Sequence, residues 1–323
     1  MPDPSNDNLV DALIIGAGPA GLSAALTLAR ALHTVIVFDS QNYRNIKAAH
    51  MHAVTTWDHQ SPHDFRLRAR SDILSRYNTV EFHNLEIHHV EKTAQGLFHL
   101  VDENGALWRG RKLLLATGVR DIMPDIKGYS DCWVTGIFHC LFCHGYEDRH
   151  VNSCGVLCAG DLESAQPILH LARHAVRLVP RVTIYTNGRE ALSGEIMSLL
   201  REDENFNFDT RIIEKLVKGA EKTSVVLKFQ DGSQTTEGFL VSRPRTALQG
   251  EFAAQLSCKT TKQGSVEITE PFCQTSVPGA FAAGDCAVLA KTVMNAMATG
   301  GFAGAAMAAQ LEAEGSSSIS AKP

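Results

Sequence analysis

The chain has 323 residues, 44% of them hydrophobic and 20% charged, which is enough for two domains that each bury a core. Thirty Lys and Arg against 35 Asp and Glu leave a formal charge of -5, which gives nucleic acid or an anionic membrane no electrostatic reason to be the partner. A small ligand is expected instead.

The start, "MPDPSNDNLVDALIIGAG", lacks the basic stretch and apolar core of a secretory signal, and no run reaches the roughly 18 apolar residues of a membrane helix. A cytoplasmic location follows as an expectation. The eight cysteines (132, 140, 143, 154, 158, 258, 273 and 286) are then expected to be mostly free thiols.

An apolar strand over Ala12–Ile15 runs into Gly16, Ala17, Gly18, Pro19, Ala20 and Gly21, and then into a helix of small residues. This is GxGxxG between strand and helix, the context it needs: one glycine for the tight turn, one for backbone approach to a pyrophosphate, one for close helix packing. The second strand, "TVIVFDS", ends in Asp39, an acid about 20 residues on that can accept hydrogen bonds from a ribose. At this point NAD and FAD are both open. Further along, "KLLLATGVRDIMP" is an apolar strand ending in Ala116, Thr117 and Gly118.

"HCLFCHGYE" follows, with Cys140 and Cys143 as a CxxC and His144 directly after it. Read alone it fits a c-type haem attachment, half a zinc site or a redox disulfide. Covalent haem usually requires export, which the start of the chain does not suggest. Zinc would need two more ligands from His139, His144, Cys154 and Cys158, and the last two flank the strand "GVL", where small buried residues suffice. A dithiol pair can close a small ring, and where such a sulfur opens a helix the dipole favours its thiolate.

A second strand and turn, "GVLCAGDLESA", places Cys158 where a first glycine belongs and Glu163 where a small residue belongs. With Asp161, that puts two carboxylates where a pyrophosphate would sit. The next strand, "RVTIYTNGRE", continues into Thr186, Asn187 and Gly188, leaving Arg189 alone where several cations would grip a 2'-phosphate. Near the end, "TSVPGAFAAGDCA" sets Gly284 and Asp285 after a strand, and "NAMATGGFAGAAMAAQ" is a helix of small residues. The tail "EGSSSISAKP" is small and polar, and is expected to be disordered.

The glycine turn, the ATG strand and the AAGD turn, in that order, resemble the paired motifs of two-dinucleotide-binding flavoproteins. Over nearly the whole chain the sequence is similar to low-molecular-weight thioredoxin reductases. The resemblance implies an α/β fold with a split FAD-binding Rossmann-like domain, residues 1–120 plus 247–323. A smaller, degenerate NAD(P)H-domain-like insert, residues 121–246, would carry the redox CxxC, with hinges at "RDIMPDIKG" and "SRPRTAL". It further implies bound FAD, a homodimer, and a cofactor site drawn from Gly16, Gly18, Pro19, Ala20, Gly21, Asp39, Ser40, Gln41, Arg44, Asn45, His52, Ala116, Thr117, Gly118, Gly284 and Asp285.

Ordinary thioredoxin reductases carry an aspartate after the second cysteine; His144 departs from that pattern. A histidine can accept a thiol proton, as a dithiol oxidase requires, although one that merely packs or caps would look the same in sequence. "HCLFCHGYE", "YRN" at Tyr43–Asn45 and "HMH" at His50–His52 are similar to the dithiol oxidases of the gliotoxin and holomycin type. That resemblance implies oxidation of a small-molecule dithiol, such as a dithiodiketopiperazine, to its disulfide, with electrons passed to oxygen to give hydrogen peroxide. Cys140 would exchange with substrate, Cys143 would face the flavin, and His144 would be the base. The enzymatic alternative is a thioredoxin-type disulfide reductase fed by NADPH or another donor. A redox sensor without turnover is the alternative from a different class. Trp57, Phe138 and Phe142 would suit an apolar substrate pocket, though each of these residue types is more often core.

Overall fold

The computed structural model describes residues 9–202, 204 and 206–315; the first eight residues and residues 316–323 of the polar tail lie outside them. The chain forms two compact units, one of residues 1–50, 54–120 and 247–323, the other of residues 51–53 and 121–246.

The first unit is built on a nine-stranded sheet. Its centre is parallel: Ala280–Ala282, Leu107–Leu115, Leu9–Ile15, Val35–Phe38 and Val80–His83 lie side by side in that order. Strands this apolar and flanked on both faces need no alternation, and Leu13, Ile14, Val37, Leu113 and Leu114 are all fully buried. An antiparallel hairpin, Ile87–Lys92 with Phe98–Asp102, extends the sheet from Leu107–Leu115.

Helix Pro19–Arg30 lies against the long helix Val293–Ala313, and small residues permit the contact. A Cβ on Gly300 would stand 2.1 Å from the Ala20 carbonyl oxygen, and one on Gly304 would stand 2.9 Å from that of Ala24. The glycine- and alanine-rich stretch of the sequence is thus a seam between two backbones. Thr292 starts the long helix by accepting a hydrogen bond from the Asn295 amide at 3.1 Å.

The second unit has a five-stranded, all-parallel sheet in the order Asn207–Asp209, Arg181–Tyr185, Ser153–Gly160, Phe239–Arg243, Ile137–Phe138. Helix Ala165–Ala175 covers it with Ile168, Leu169 and Ala172, all fully buried. A three-stranded antiparallel sheet, Ile213–Lys218, Val225–Phe229 and Gln234–Glu237, completes the unit. No helix among the described residues is long and apolar enough to cross a membrane.

Candidate active site

In the first unit the three glycine-bearing motifs converge at the ends of adjacent parallel strands. The Ala116 amide donates to the Ile15 carbonyl at 2.9 Å and the Ala283 amide to the Leu115 carbonyl at 3.0 Å. Gly16 has φ +108°, and a Cβ there would fall 2.3 Å from the Ala116 carbonyl oxygen; a Cβ on Gly21 would fall 1.9 Å from that of Gly16. These two glycines are therefore demanded by the chain itself.

Gly18 is different: a Cβ there would meet nothing within 4 Å. It is the N-cap of helix Pro19–Arg30, which has no side-chain cap and no acid in its first turn, so the helix dipole there is left for an anion to meet. A glycine whose missing side chain borders a void, at an uncapped helix start, fits the pyrophosphate of FAD. Gly284, at φ +75°, brings the Asp285 turn within van der Waals reach of Ala20, and Asp285 Oδ2 pairs with Arg44 Nη1 at 3.1 Å. Thr117 and Gly118 sit half-buried at the end of the neighbouring strand.

From this turn a cleft of about 480 Å³ runs past Ala17, Asp39, Gln41, Tyr43 and Arg66. Asp39 is buried and accepts from the Gln41 amide at 2.9 Å and from the Tyr43 hydroxyl. Burial first, and the Asp39 hydrogen bond next, hold the Tyr43 phenol well above its ordinary pKa. The Arg66 guanidinium lies 3.8 Å from the Tyr43 ring centre and donates to Asn45 Oδ1 at 3.1 Å. Ser40 is exposed beside this group.

Arg66 escapes a sequence reading because helix Pro62–Leu74 offers Arg66, Arg68 and Arg70 alike. Only a register placing Arg66 on the buried side would single it out.

In the second unit Cys140 and Cys143 are joined as a disulfide, with Cα atoms 5.3 Å apart. The two sulfurs are thus bonded to each other. Cys154 and Cys158 are buried in the core of the sheet, where burial drives the Cys154 thiol far up and the Cys158 thiol to about 12, with Arg189 opposing the latter. The pair does not open a helix: residues 141–150 are turns and bends, and Gly145 takes φ +108°. The helix-dipole contribution considered from sequence has no helix to supply it.

The loop is held through its backbone instead. The Cys140 carbonyl accepts from the amides of Cys143 at 3.2 Å and His144 at 3.1 Å, and Leu141 is buried in the core. His52 belongs to this unit, with its Nδ1 2.8 Å from the Cys143 carbonyl oxygen and its Nε2 3.3 Å from Glu147 Oε1. It thus contacts the redox loop directly, at the carbonyl of Cys143 and the carboxylate of Glu147.

The His144 ring stacks on Phe138, centroids 4.9 Å apart, and its Nδ1 is buried without a hydrogen-bond partner. Burial lowers its pKa below the ordinary histidine value; the nearby His52 adds to this, while Asp148 and Glu147 oppose it. The ring is consequently a neutral base at pH 7. Phe138 is core, Phe142 is 68% exposed and stands against His174, and Trp57, in the first unit, packs edge-on to Phe65.

At the second strand and turn, Gly160 takes φ +66° and its missing Cβ is required by the Arg243 carbonyl oxygen, 2.2 Å away. Arg189 turns inward: its Nη2 donates to the carbonyls of Cys158 and Leu162, and its Nε to that of Thr186 at 3.2 Å. The Asn187 side chain is occupied by the Ile213 amide at 2.7 Å, and Glu163 pairs with Arg245. Arg189, Asn187 and Glu163, three of the polar side chains at this second turn, are thus each engaged with the chain itself.

Residues 10–314 match the pyridine nucleotide-disulphide oxidoreductase family. The chain is 43% identical to thioredoxin reductase aclD of Aspergillus oryzae, over 94% of this chain and 96% of that protein. It is also 43% identical to thioredoxin reductase tcpT of Claviceps purpurea, over 96% and 97%. Among solved structures it resembles the putative thioredoxin reductase TrxB of Bacillus anthracis, with TM-score 0.84, 25% identity and 94% and 99% of the two chains covered. It likewise resembles HlmI, with TM-score 0.79, 27% identity and 94% and 93% covered.

Proposed function

This chain belongs to the pyridine nucleotide-disulphide oxidoreductase family and is an FAD-dependent thiol/disulfide oxidoreductase, and we propose that it oxidises a small-molecule dithiol to an intramolecular disulfide with oxygen as the final acceptor. The observation that carries the oxidase reading is the self-occupied second turn. Arg189, the one cation placed for a nicotinamide dinucleotide's 2'-phosphate, is spent on the Cys158 and Leu162 carbonyls, and Glu163 sets a carboxylate where a phosphate would lie.

His144, kept neutral by burial, takes the proton from one substrate thiol. The thiolate attacks Cys140 Sγ, breaking the Cys140–Cys143 bond and releasing the Cys143 thiolate. The second substrate thiol then attacks its own partner sulfur, closing the product disulfide and freeing Cys140. Two electrons have then moved from substrate to the cysteine pair, and of the two thiol protons one rests on His144 and the other leaves with closure of the product disulfide. FAD, held at the Gly16–Gly21 turn, would supply the two-electron acceptor that lets Cys140 and Cys143 close their disulfide again, with oxygen as the final acceptor and hydrogen peroxide as its product. The resemblance to gliotoxin- and holomycin-type oxidases makes a dithiodiketopiperazine the substrate class.

The thioredoxin-type reductase is the second reading, favoured by the printed names of the relatives and by the retained parallel sheet of residues 121–246. An oxygen electrode with a peroxide assay separates the two. The proposal expects one oxygen consumed and one peroxide formed per dithiol, without NADPH; no oxygen uptake with dithiol, but turnover with NADPH and a disulfide, overturns it.

A further inference from the structure

We propose that His52, held by Glu147, is a positioning residue of the redox loop: it donates Nδ1–H to the Cys143 carbonyl and so fixes the backbone that carries the Cys143 sulfur. The inference rests on Cys140 and Cys143 being the redox pair, in whichever direction electrons flow.

The loop needs such a support. Residues 141–150 form no helix whose amide ladder would fix them. Upstream, the Cys140 carbonyl is locked by two amides and Leu141 is buried in the core. Downstream, the backbone turns through Gly145 at φ +108°. Between these points the Cys143 carbonyl is gripped by His52, which lies 91 residues away in sequence.

A carbonyl can only accept, so Nδ1 carries the proton and the tautomer is fixed by the contact. Nε2 then faces the Glu147 carboxylate at 3.3 Å, an acid supplied by the loop itself, four residues past Cys143. The His52 side chain is 12% exposed, so both contacts are shielded from water.

Substitution tests the role: His52→Ala removes the donor, and His52→Asn keeps an N–H for the Cys143 carbonyl. The readout is the thiol–disulfide equilibrium of Cys140 and Cys143 in glutathione buffers, read by alkylation and mass spectrometry on the FAD-loaded protein. The hydrogen bond is made in the disulfide form, and the proposal holds that opening the disulfide weakens it, so His52→Ala is expected to shift the equilibrium towards the dithiol by about 3- to 10-fold, the value of one such bond, and His52→Asn to restore it.

An unchanged equilibrium in His52→Ala, an Asn variant as shifted as Ala, or loss of FAD absorbance with the equilibrium intact overturns the proposal. A failed oxygen assay of the wild type strikes the oxidase reading alone, since the equilibrium is measured without oxygen.

Discussion

At the scale of single residues the chemistry rests on Cys140, Cys143 and His144. Cys143→Ser is expected to bind FAD normally and to show no bleaching of the flavin by a dithiol in stopped-flow absorbance; retained bleaching would remove Cys143 from the electron path. His144→Ala is expected to slow that bleaching about 10²- to 10⁴-fold at neutral pH, the usual worth of a positioned base. The sign of the wild-type pH dependence follows from burial: with its pKa held below the ordinary histidine value, His144 takes up its proton only at lower pH than a free imidazole does, and the rate falls on the acid side as it does so. A limb centred above 6.5 would contradict this environment.

The CxxCH string and the base-capable histidine are legible in sequence because they are contiguous. His52 and Glu147 are not legible as a pair: the contact of His52 with Cys143 spans 91 residues and follows no helix or strand period. Arg66 is hidden for another reason, since burial of an arginine beside a tyrosine ring is a tertiary choice among three equivalent positions.

At the scale of elements, the glycines divide by what their missing side chains meet. Gly16→Ala is expected to destabilise the apoprotein strongly, because the Cβ would enter the Ala116 carbonyl and φ is +108°. Gly18→Ala meets nothing and has φ -73°, so thermal unfolding of the apoprotein should change by no more than about 1 kcal/mol. Its affinity for FAD, followed by quenching of flavin fluorescence, should fall at least about tenfold, the added methyl costing a pyrophosphate contact.

The helix seam gives a matched pair. Gly300→Ala should lower stability by about 1–3 kcal/mol through overpacking against Ala20, whereas Gly301→Ala, with its nearest neighbour 4.0 Å away, should be neutral or stabilising by up to about 1 kcal/mol. Equal melting temperatures for the two variants would refute the seam. These elements were readable because strand, turn and helix each impose a local residue rule. The sequence left open whether the CxxC opens a helix: "HGYEDRH" carries a glycine at φ +108° and Leu141 is buried ahead of it, so the chain turns there and a helix dipole plays no part.

At the scale of the whole molecule, binding FAD to the native state alone should raise the apparent stability by about 2.7 kcal/mol at a hundredfold excess over its dissociation constant, visible as a higher melting temperature with added FAD. The same experiment with NADPH should show no shift if Arg189, Glu163 and Asn187 are as fully committed as their contacts indicate. The dinucleotide fold was legible from three motifs in order, but the closure of the second turn was legible only by half: the acids and the missing glycine stand in the sequence, while the inward fold of Arg189 does not.

The most direct test of the account is the visible spectrum of the purified FAD-loaded protein under anaerobic conditions, with NADPH added first and a small dithiol second. The account predicts an unchanged flavin with NADPH, bleaching with the dithiol, and colour restored by air. Prompt bleaching by NADPH would contradict it and make the chain a reductase.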